Sequence, residues 1–365
     1  MSKKLKVLQV SNNLELRLGG PPAVVMGIEK RLNSEFDHHL VVFGKSDFSL
    51  QNSTIIPTVR NNHYGFFWGV IPRQIRKMIT GADLIILHGI YLYSNLLILI
   101  IAKDKQIVFM PHGTFEIFQQ KKSRIKKSLF DLIFKFISRK REIKYIVATD
   151  TEQVGVKAKY PKREVFTVGI GVDAPKEIST RKFSNGNLLC LSRISEKKRI
   201  DVCINALYLL KNMSTNVYTL NIAGNGDKAL TSRLVNQAKK LSEPTSVHFL
   251  GLLDEDEKWR VIQDSSILLL PSMNENFAIS VAECISAGVP VIVSRNVALH
   301  IFVEKYNCGI VIETVSDQDV AKAVIEIEKN FSYFVSNCVF ASPLLEWKSV
   351  SSSWVETILE LTGQK

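Results

Sequence analysis

Pro271-Ser272-Met273-Asn274-Glu275-Asn276-Phe277-Ala278-Ile279-Ser280-Val281-Ala282-Glu283-Cys284 follows the apolar run Ile267 to Leu270 and opens a segment with helical spacing. A short, wholly apolar run reads as a strand buried on both faces, and a strand that turns through a polar loop into a helix is the unit of a parallel α/β sheet. The start of such a helix presents free N–H groups and a partial positive charge, which suits a diphosphate. Glu275 falls in the loop and Glu283 in the first helical turns, so both carboxylates can face a ligand held there. They would repel phosphates and instead fit hydroxyl-rich groups on either side, a sugar and a ribose, which together describe a nucleotide-sugar. The alternative for two acids at this spacing is a solvated helix face.

The same strand-then-helix grammar extends in both directions. Apolar runs at Lys6 to Val10, Leu40 to Phe43, Leu84 to His88, Ile107 to Met110, Tyr145 to Ala148 and Val165 to Val168 form one series. A second comprises Leu188 to Leu191, Thr219 to Ala223, Ser246 to Leu250, Ile267 to Leu270, Val289 to Val293 and Gly309 to Ile312. Two series separated by helical segments predict two doubly wound α/β domains. The pattern lapses between Gly171 and Asn187, which makes residues 1–170 a first domain, 171–187 a linker, 188–342 a second domain and 343–365 a closing helix. In that closing helix Trp347 and Trp354 share a face, either packing on their own domain or crossing back to the first.

A chain of 365 residues with 46% hydrophobic content is long for a single core and comfortable as two domains. The cysteines Cys190, Cys203, Cys284, Cys308 and Cys338 have neither paired nor metal-like spacing and read as buried thiols of a reduced, cytoplasmic protein. Leu84 to Ala102 lacks Asp, Glu, Lys and Arg, but His88, Gly89, Ser94 and Asn95 break it into a strand and a short helix rather than a membrane span. The whole net charge of +12 lies in the first half, since residues 1–180 hold 28 basic and 15 acidic side chains and residues 181–365 hold 19 and 20. A basic half beside a neutral one points to an anionic partner for the first domain. Nucleic acid is disfavoured as that partner by the lack of a recognition helix, zinc spacing or interleaved aromatics.

Several loops carry candidate ligand groups. Leu191 to Asp201 holds Arg193, Lys197, Lys198 and Arg199, a cluster that is self-repelling unless Glu196 or an anion compensates it. Ala223-Gly224-Asn225-Gly226 ends a strand as a tight turn or the edge of a nucleotide pocket. Gly19 and Gly20, followed by Pro21 and Pro22, suit a close backbone approach to a ligand and a helix's first turn. Met110-Pro111-His112-Gly113-Thr114-Phe115-Glu116 leaves His112 at a strand end, as a structural hydrogen-bonder or a ligand group; His88 is a weaker candidate of the same kind. Asp254-Glu255-Asp256-Glu257 contains a D-x-D pattern, yet acids opening the helix around Trp259 complement its dipole and need no metal.

From Lys121 to Arg141, the residues Ile125, Leu129, Leu132, Ile133, Phe136 and Ile137 repeat at helical spacing. The basic residues Lys121, Lys122, Arg124, Lys126, Lys127, Arg139, Lys140 and Arg141 cluster at the two ends. The expectation is a helix that packs its apolar stripe on the core and turns a basic face outward, with anionic lipid as that face's candidate partner.

Taken together, the segment around Glu275 and Glu283 resembles the E-x7-E signature of retaining glycosyltransferases of family 4. Arg193 and Lys198 match the family's G-R-x-x-x-x-K-G element, and Pro111-His112-Gly113 its P-H-G element. Gly169 to Asp173 stands where N-G-V-D usually does. The resemblance implies two facing Rossmann-like domains (the GT-B fold) with the ligand cleft between them, and transfer of a hexosyl group with no metal or other cofactor. It implies Glu275 on the sugar hydroxyls, Glu283 on the ribose, and Arg193, Lys198 and the N–H groups of Asn276, Phe277, Ala278 and Ile279 on the diphosphate. Gly224 then lines the donor pocket, and His112, Gly19 and Gly20 complete the site. The implied acceptor is a glycan or lipid-linked glycan of cell-surface polysaccharide or lipopolysaccharide synthesis, met at the cytoplasmic face of the membrane. Ser192, Arg199 and Ala278 replace family glycines, and Asp227 a common proline. A nucleotide-sugar epimerase or a non-catalytic nucleotide-sugar-binding subunit is compatible with the same residues, and base, sugar, linkage and oligomeric state stay open.

Overall fold

The computed structural model describes residues 4–49, 52–57, 71–115, 124–175, 183, 186–241 and 246–364. They divide into two compact units, residues 1–170 with 350–365 and residues 171–349. The first unit holds β1 (Lys6–Leu14), β2 (Asp37–Ser46), β3 (Ser53–Ile56), β4 (Leu84–His88), β5 (Gln106–Met110), β6 (Ile143–Val147) and β7 (Val165–Thr167). The second holds β8 (Asn187–Leu191), β9 (Thr219–Ala223), β10 (Ser246–Gly251), β11 (Ile267–Leu270), β12 (Val291–Ser294) and β13 (Gly309–Ile312).

Among the described residues each unit has one wholly parallel sheet, ordered β3-β2-β1-β4-β5-β6-β7 and β10-β9-β8-β11-β12-β13. Central strands such as β4, β11 and β12 are buried along their whole length, as helices on both faces require. In both sheets the strand order reverses beside the first strand, at β1/β4 and at β8/β11. That is the switch point where the loops leaving the strands' carboxyl ends part to opposite faces and open a crevice. The two α/β domains read from the sequence are therefore present. The sequence pattern missed β3, a short edge strand of which only Ile56 is buried.

Two element boundaries differ from expectation. Pro343 does not open the last helix but lies inside helix Phe331–Leu345; the chain breaks at the extended Glu346 and resumes as helix Trp347–Leu361. The break is pinned where Val172 N–H donates to Leu345 O at 2.9 Å and Trp347 N–H donates to Val172 O at 3.2 Å. Gly171 must be glycine here, because a Cβ would lie 2.5 Å from Trp347 Cα. From Val350 onward the helix belongs to the first unit, where buried Trp354 donates its indole N–H to Gly169 O at 3.2 Å.

Helix Arg124–Ile137 corrects a second reading. Phe130 and Phe134 face the core, where they meet Tyr91, Phe109 and Tyr160, and of the expected stripe Ile137 packs there with them. Ile125, Leu129, Leu132 and Phe136 are 87%, 60%, 67% and 81% exposed, and Ile133 is exposed too. Both faces of this helix are apolar, so periodicity alone does not choose between them. The aromatic cluster beneath it does, since ring against ring buries more surface than Ile or Leu would at the same positions.

Candidate active site

In the second unit the loops leaving β8, β9 and β11 are locked together through their backbones. Ile194 N–H donates to Asn225 O at 2.9 Å, and Met273 N–H donates to Lys197 O at 2.7 Å. Gly224 and Gly226 permit this contact: a Cβ on either would lie 2.1 Å from Ser192 O or 1.9 Å from Ile194 O. The glycine pair thus serves close packing of the arginine–lysine loop, the plainer of its two sequence readings. Asp227, in place of a proline, caps helix Lys228–Ala238 by accepting from Leu230 N–H at 2.9 Å.

Held this way, the short 3-10 turn Glu196–Lys198 puts two lysines against the E-x7-E segment. Lys198 Nζ lies 2.7 Å and Lys197 Nζ 3.1 Å from Glu275 Oε1, all three side chains being largely buried. Glu275 is itself fixed by a parallel bridge to Val297, with its N–H donating to Asn296 O at 2.9 Å. Burial pushes its carboxyl pKa up, but Lys198 and Lys197 together outweigh burial and hold it below the ordinary value. Burial lowers the Lys198 pKa; Glu275 opposes this, while Lys197 and Arg193 reinforce it. Arg193 is exposed and has no ion-pair partner among the described residues. Two lysines thus meet one carboxylate with Arg193 near enough to act on Lys198, leaving an excess of two positive charges at the carboxyl ends of β8 and β11. Lys197, one of the four cations of the sequence cluster, lies outside the motif spacing and has no role assigned from sequence.

Helix Ile279–Ser286 starts from the same place. Phe277 is buried, and Ala278 takes a left-handed conformation (φ 60°) as the residue before the first turn. Arg199 is left-handed as well (φ 52°). The glycine-to-alanine and glycine-to-arginine departures therefore fall where glycine is least strained. Glu283 turns away from the lysine pair to Lys258, whose Nζ is 2.6 Å from its Oε1. Burial raises the Glu283 pKa in spite of Lys258. Lys258 comes from helix Glu255–Asp264, whose acidic start is a capping box: Asp254 accepts from Glu257 N–H at 2.8 Å, and Glu257 accepts from Asp254 N–H at 3.0 Å. That gives the D-x-D pattern a structural account. Asn276 and Ile279 lie on the backbone that frames this helix start, both half-buried.

In the first unit Gly19 (φ 79°) caps helix Gly20–Glu35, with Pro in its first turn as the sequence suggests. His112, after β5, has φ 54°, unusual for histidine. It is held from two sides. The next residue, Gly113, donates its N–H to buried Glu152 Oε1 at 2.5 Å, and Glu152 Oε2 accepts from Ala148 N–H at 3.0 Å. Behind the ring, His88 Nδ1 lies 2.8 Å from His112 Nε2 with the two rings stacked. Burial lowers the His112 pKa to about 4 and drives that of His88 well below the ordinary range, so both are neutral at pH 7. His88 is thus a buried support of His112; Glu152 and Gln9, also buried behind it, were not legible as site residues.

The basic cluster is split. Lys126, Arg139 and Lys140 are exposed, Lys127 Nζ sits 5.2 Å over the Tyr91 ring, and Arg141 turns inward to donate to Ala102 O at 3.2 Å. Arg141 therefore does not lie on an outward basic face as expected. Lys121 and Lys122, and the side chain of Arg124, lie outside the described residues. No helix of the described residues is long and apolar enough to cross a membrane.

Residues 176–333 match the family model described as glycosyl transferases group 1. Glycogen synthase of Mycobacterium tuberculosis is 29% identical over 135 residues, 36% of this chain and 32% of that protein. The O-antigen biosynthesis glycosyltransferase WclY of Escherichia coli is 30% identical over 116 residues, 32% of this chain and 30% of that protein. The chain thus spans about a third of the length of these curated relatives. The structure of Anabaena HepE, solved with UDP and glucose, superposes with a TM-score of 0.73 at 15% identity over 98% of this chain and all of that one. The matched segment is a glycosyltransferase domain, and the fold is the two-domain α/β arrangement of GT-B glycosyltransferases.

Proposed function

We propose that this glycosyltransferase domain binds a nucleotide-diphosphate sugar and that the chain transfers the hexosyl group, with retention of configuration and without a metal, to a glycan or lipid-linked glycan acceptor. The observation that carries the reading is the excess of two positive charges from Arg193, Lys197 and Lys198 at the switch-point loops, beside the start of helix Ile279–Ser286. A diphosphate matches that excess in charge, and a helix start matches it in donors. Charge-assisted contacts strengthen as negative charge grows on the departing nucleoside diphosphate, so they lower the barrier as well as bind the donor.

In this reading Glu275 keeps one oxygen on the lysines and offers the other to the sugar hydroxyls, while Glu283 serves the ribose. His112 and the Gly19-Gly20 loop act from the first unit, which takes the acceptor. A covalent route needs a carboxylate at the anomeric carbon; Glu275 is committed to two lysines, which favours a same-face route in which the leaving phosphate helps take the acceptor proton. The exposed Ile125, Leu129, Leu132 and Phe136, with Lys126, Arg139 and Lys140 nearby in sequence, suit an anionic lipid surface at which a lipid-linked acceptor is met.

A thermal-shift panel of UDP-, GDP- and ADP-sugars tests the donor: a ligand at 100 times its Kd adds about 2.7 kcal/mol of stability. Label moving from the identified donor to a glycan supports transfer, whereas an isomerised free donor means epimerisation. Binding without turnover, with Glu275→Ala leaving polysaccharide output unchanged, means a non-catalytic subunit.

A further inference from the structure

A line of buried polar side chains runs behind His112 through three strands of the first unit. Gln9 of β1 places its Nε2 2.8 Å from His88 Nε2 and 3.2 Å from Val25 O. Its Oε1 is 2.9 Å from His38 Nε2 on β2. His38 Nδ1 lies 3.1 Å from Asn33 Oδ1, and Asn33 Nδ2 donates to Glu29 Oε1 at 2.7 Å. Gln9, His38, His88 and Glu29 are all buried.

The direction of the bonds from Gln9 to His112 follows from one atom. Val25 O can only accept, so the Gln9 group facing it is the NH2, whose second hydrogen points at His88 Nε2. His88 Nε2 must then accept, and because His88 is neutral its proton sits on Nδ1. That proton is donated to His112 Nε2, which must accept in turn. The proton of neutral His112 is left on Nδ1. At the far end Glu29 Oε1 also only accepts, so Asn33 turns its Oδ1 to His38 Nδ1 and the two directions meet at His38, whose nitrogens both face acceptors; the polarity from Val25 to His112 is the one the Gln9 amide sets.

We infer that the Val25–Gln9–His88 relay is a positioning device that fixes His112 as a neutral Nδ1–H donor, able to give a hydrogen bond to an oxygen of the bound sugar or acceptor but not to act as a proton acid or base. This deepens the transferase reading above and rests on it for the identity of the oxygen. An imidazolium at His112 would oppose two N–H groups across a 2.8 Å gap unless Gln9 also turned its oxygen toward Val25 O. The remaining titratable groups packed around the ring are His38 and Glu29 at the far end of the relay and Glu152 beneath the Pro111–Gly113 turn. Burial lowers the pKa of His38 to about 4, against the two acceptor oxygens that face its nitrogens.

The full chain labelled with 15N-histidine gives the tautomer directly by NMR, independent of any substrate. His112 is expected as Nδ1–H, with no titration between pH 6 and 8. An Nε2–H form, or an imidazolium appearing above about pH 6, overturns the inference. Gln9→Glu reverses the relay, since its carboxylate accepts from His88 Nε2–H and leaves His88 Nδ1 to accept from His112. It is expected to move His112 to Nε2–H, to lower kcat about tenfold or more with a smaller change in KM, and to bring a histidine ionisation into the pH profile. An unaltered kcat and pH profile in a Gln9→Glu protein whose tautomer has switched overturns the positioning role. If Gln9→Glu does not fold, the wild-type tautomer alone decides. Should the tautomer be as stated while no sugar is transferred from any donor, the relay stands and the transferase reading falls.

Discussion

At the residue scale, the two acids of the E-x7-E segment are separated by their partners. Glu275 has its pKa held below the ordinary 4.5 because Lys198 and Lys197 outweigh burial. A depressed carboxylate contributes its stability above the unfolded pKa and loses it as pH falls through the folded one. The melting-temperature gap between wild type and Glu275→Gln is therefore expected to be constant from neutral pH down to about 5 and to shrink in more acid solution. A gap that widens on acidification contradicts the pairing. For Glu283 and Lys258, both largely buried, removing one partner strands a charge. Lys258→Met should cost about 3 kcal/mol in denaturant unfolding, and Lys258→Met with Glu283→Gln should recover most of that. The positions of Glu275, Glu283, Arg193 and Lys198 were legible because motif and spacing are properties of the chain. Which lysine meets which acid was not: Lys197 and Lys258 reach their partners across 78 and 25 residues, and only the packed loops decide that.

At the scale of elements, strands were read well where burial on both faces made them continuous apolar runs, as in β4 and β11. β3 escaped because the four residues Ser53, Thr54, Ile55 and Ile56 of this edge strand form neither a continuous apolar run nor an alternation. Helix Arg124–Ile137 was legible as a helix and not as an orientation, since each of its faces carries aromatic or branched side chains. Its exposed face predicts a separation of stability from localisation. Ile125→Ser with Phe136→Ser should change unfolding free energy by no more than about 0.5 kcal/mol per site, because neither side chain is buried. The same pair should abolish flotation with anionic liposomes at low salt. Equal recovery of wild type with neutral and anionic vesicles removes lipid as the partner.

For the whole molecule, the division of the chain is not the division of the sequence. The first unit is made of residues 1–170 and 350–365, so its core includes Trp354, Ile358 and Leu361 from the far end of the chain. Burying such side chains is worth about 2 kcal/mol each, which makes their sum comparable to the 5–15 kcal/mol by which a domain is ordinarily stable. A chain ending at Ser349 is expected to keep the second unit folded while residues 1–170 lose hydrogen-exchange protection. A peptide of residues 350–365 added in excess should restore it. Full protection of 1–170 in the truncated chain would show that the last helix is dispensable.

A ribosome makes this arrangement a matter of timing. At about 5–20 residues per second, roughly 10–40 s separate synthesis of Ile170 from that of the closing helix. Throughout that interval the nascent amino-terminal half lacks its last core segment, while residues 171–349 are finished within the same window. The half that emerges first is thus the last to become complete, and its exposed apolar surface during elongation is where a chaperone would engage the newborn chain.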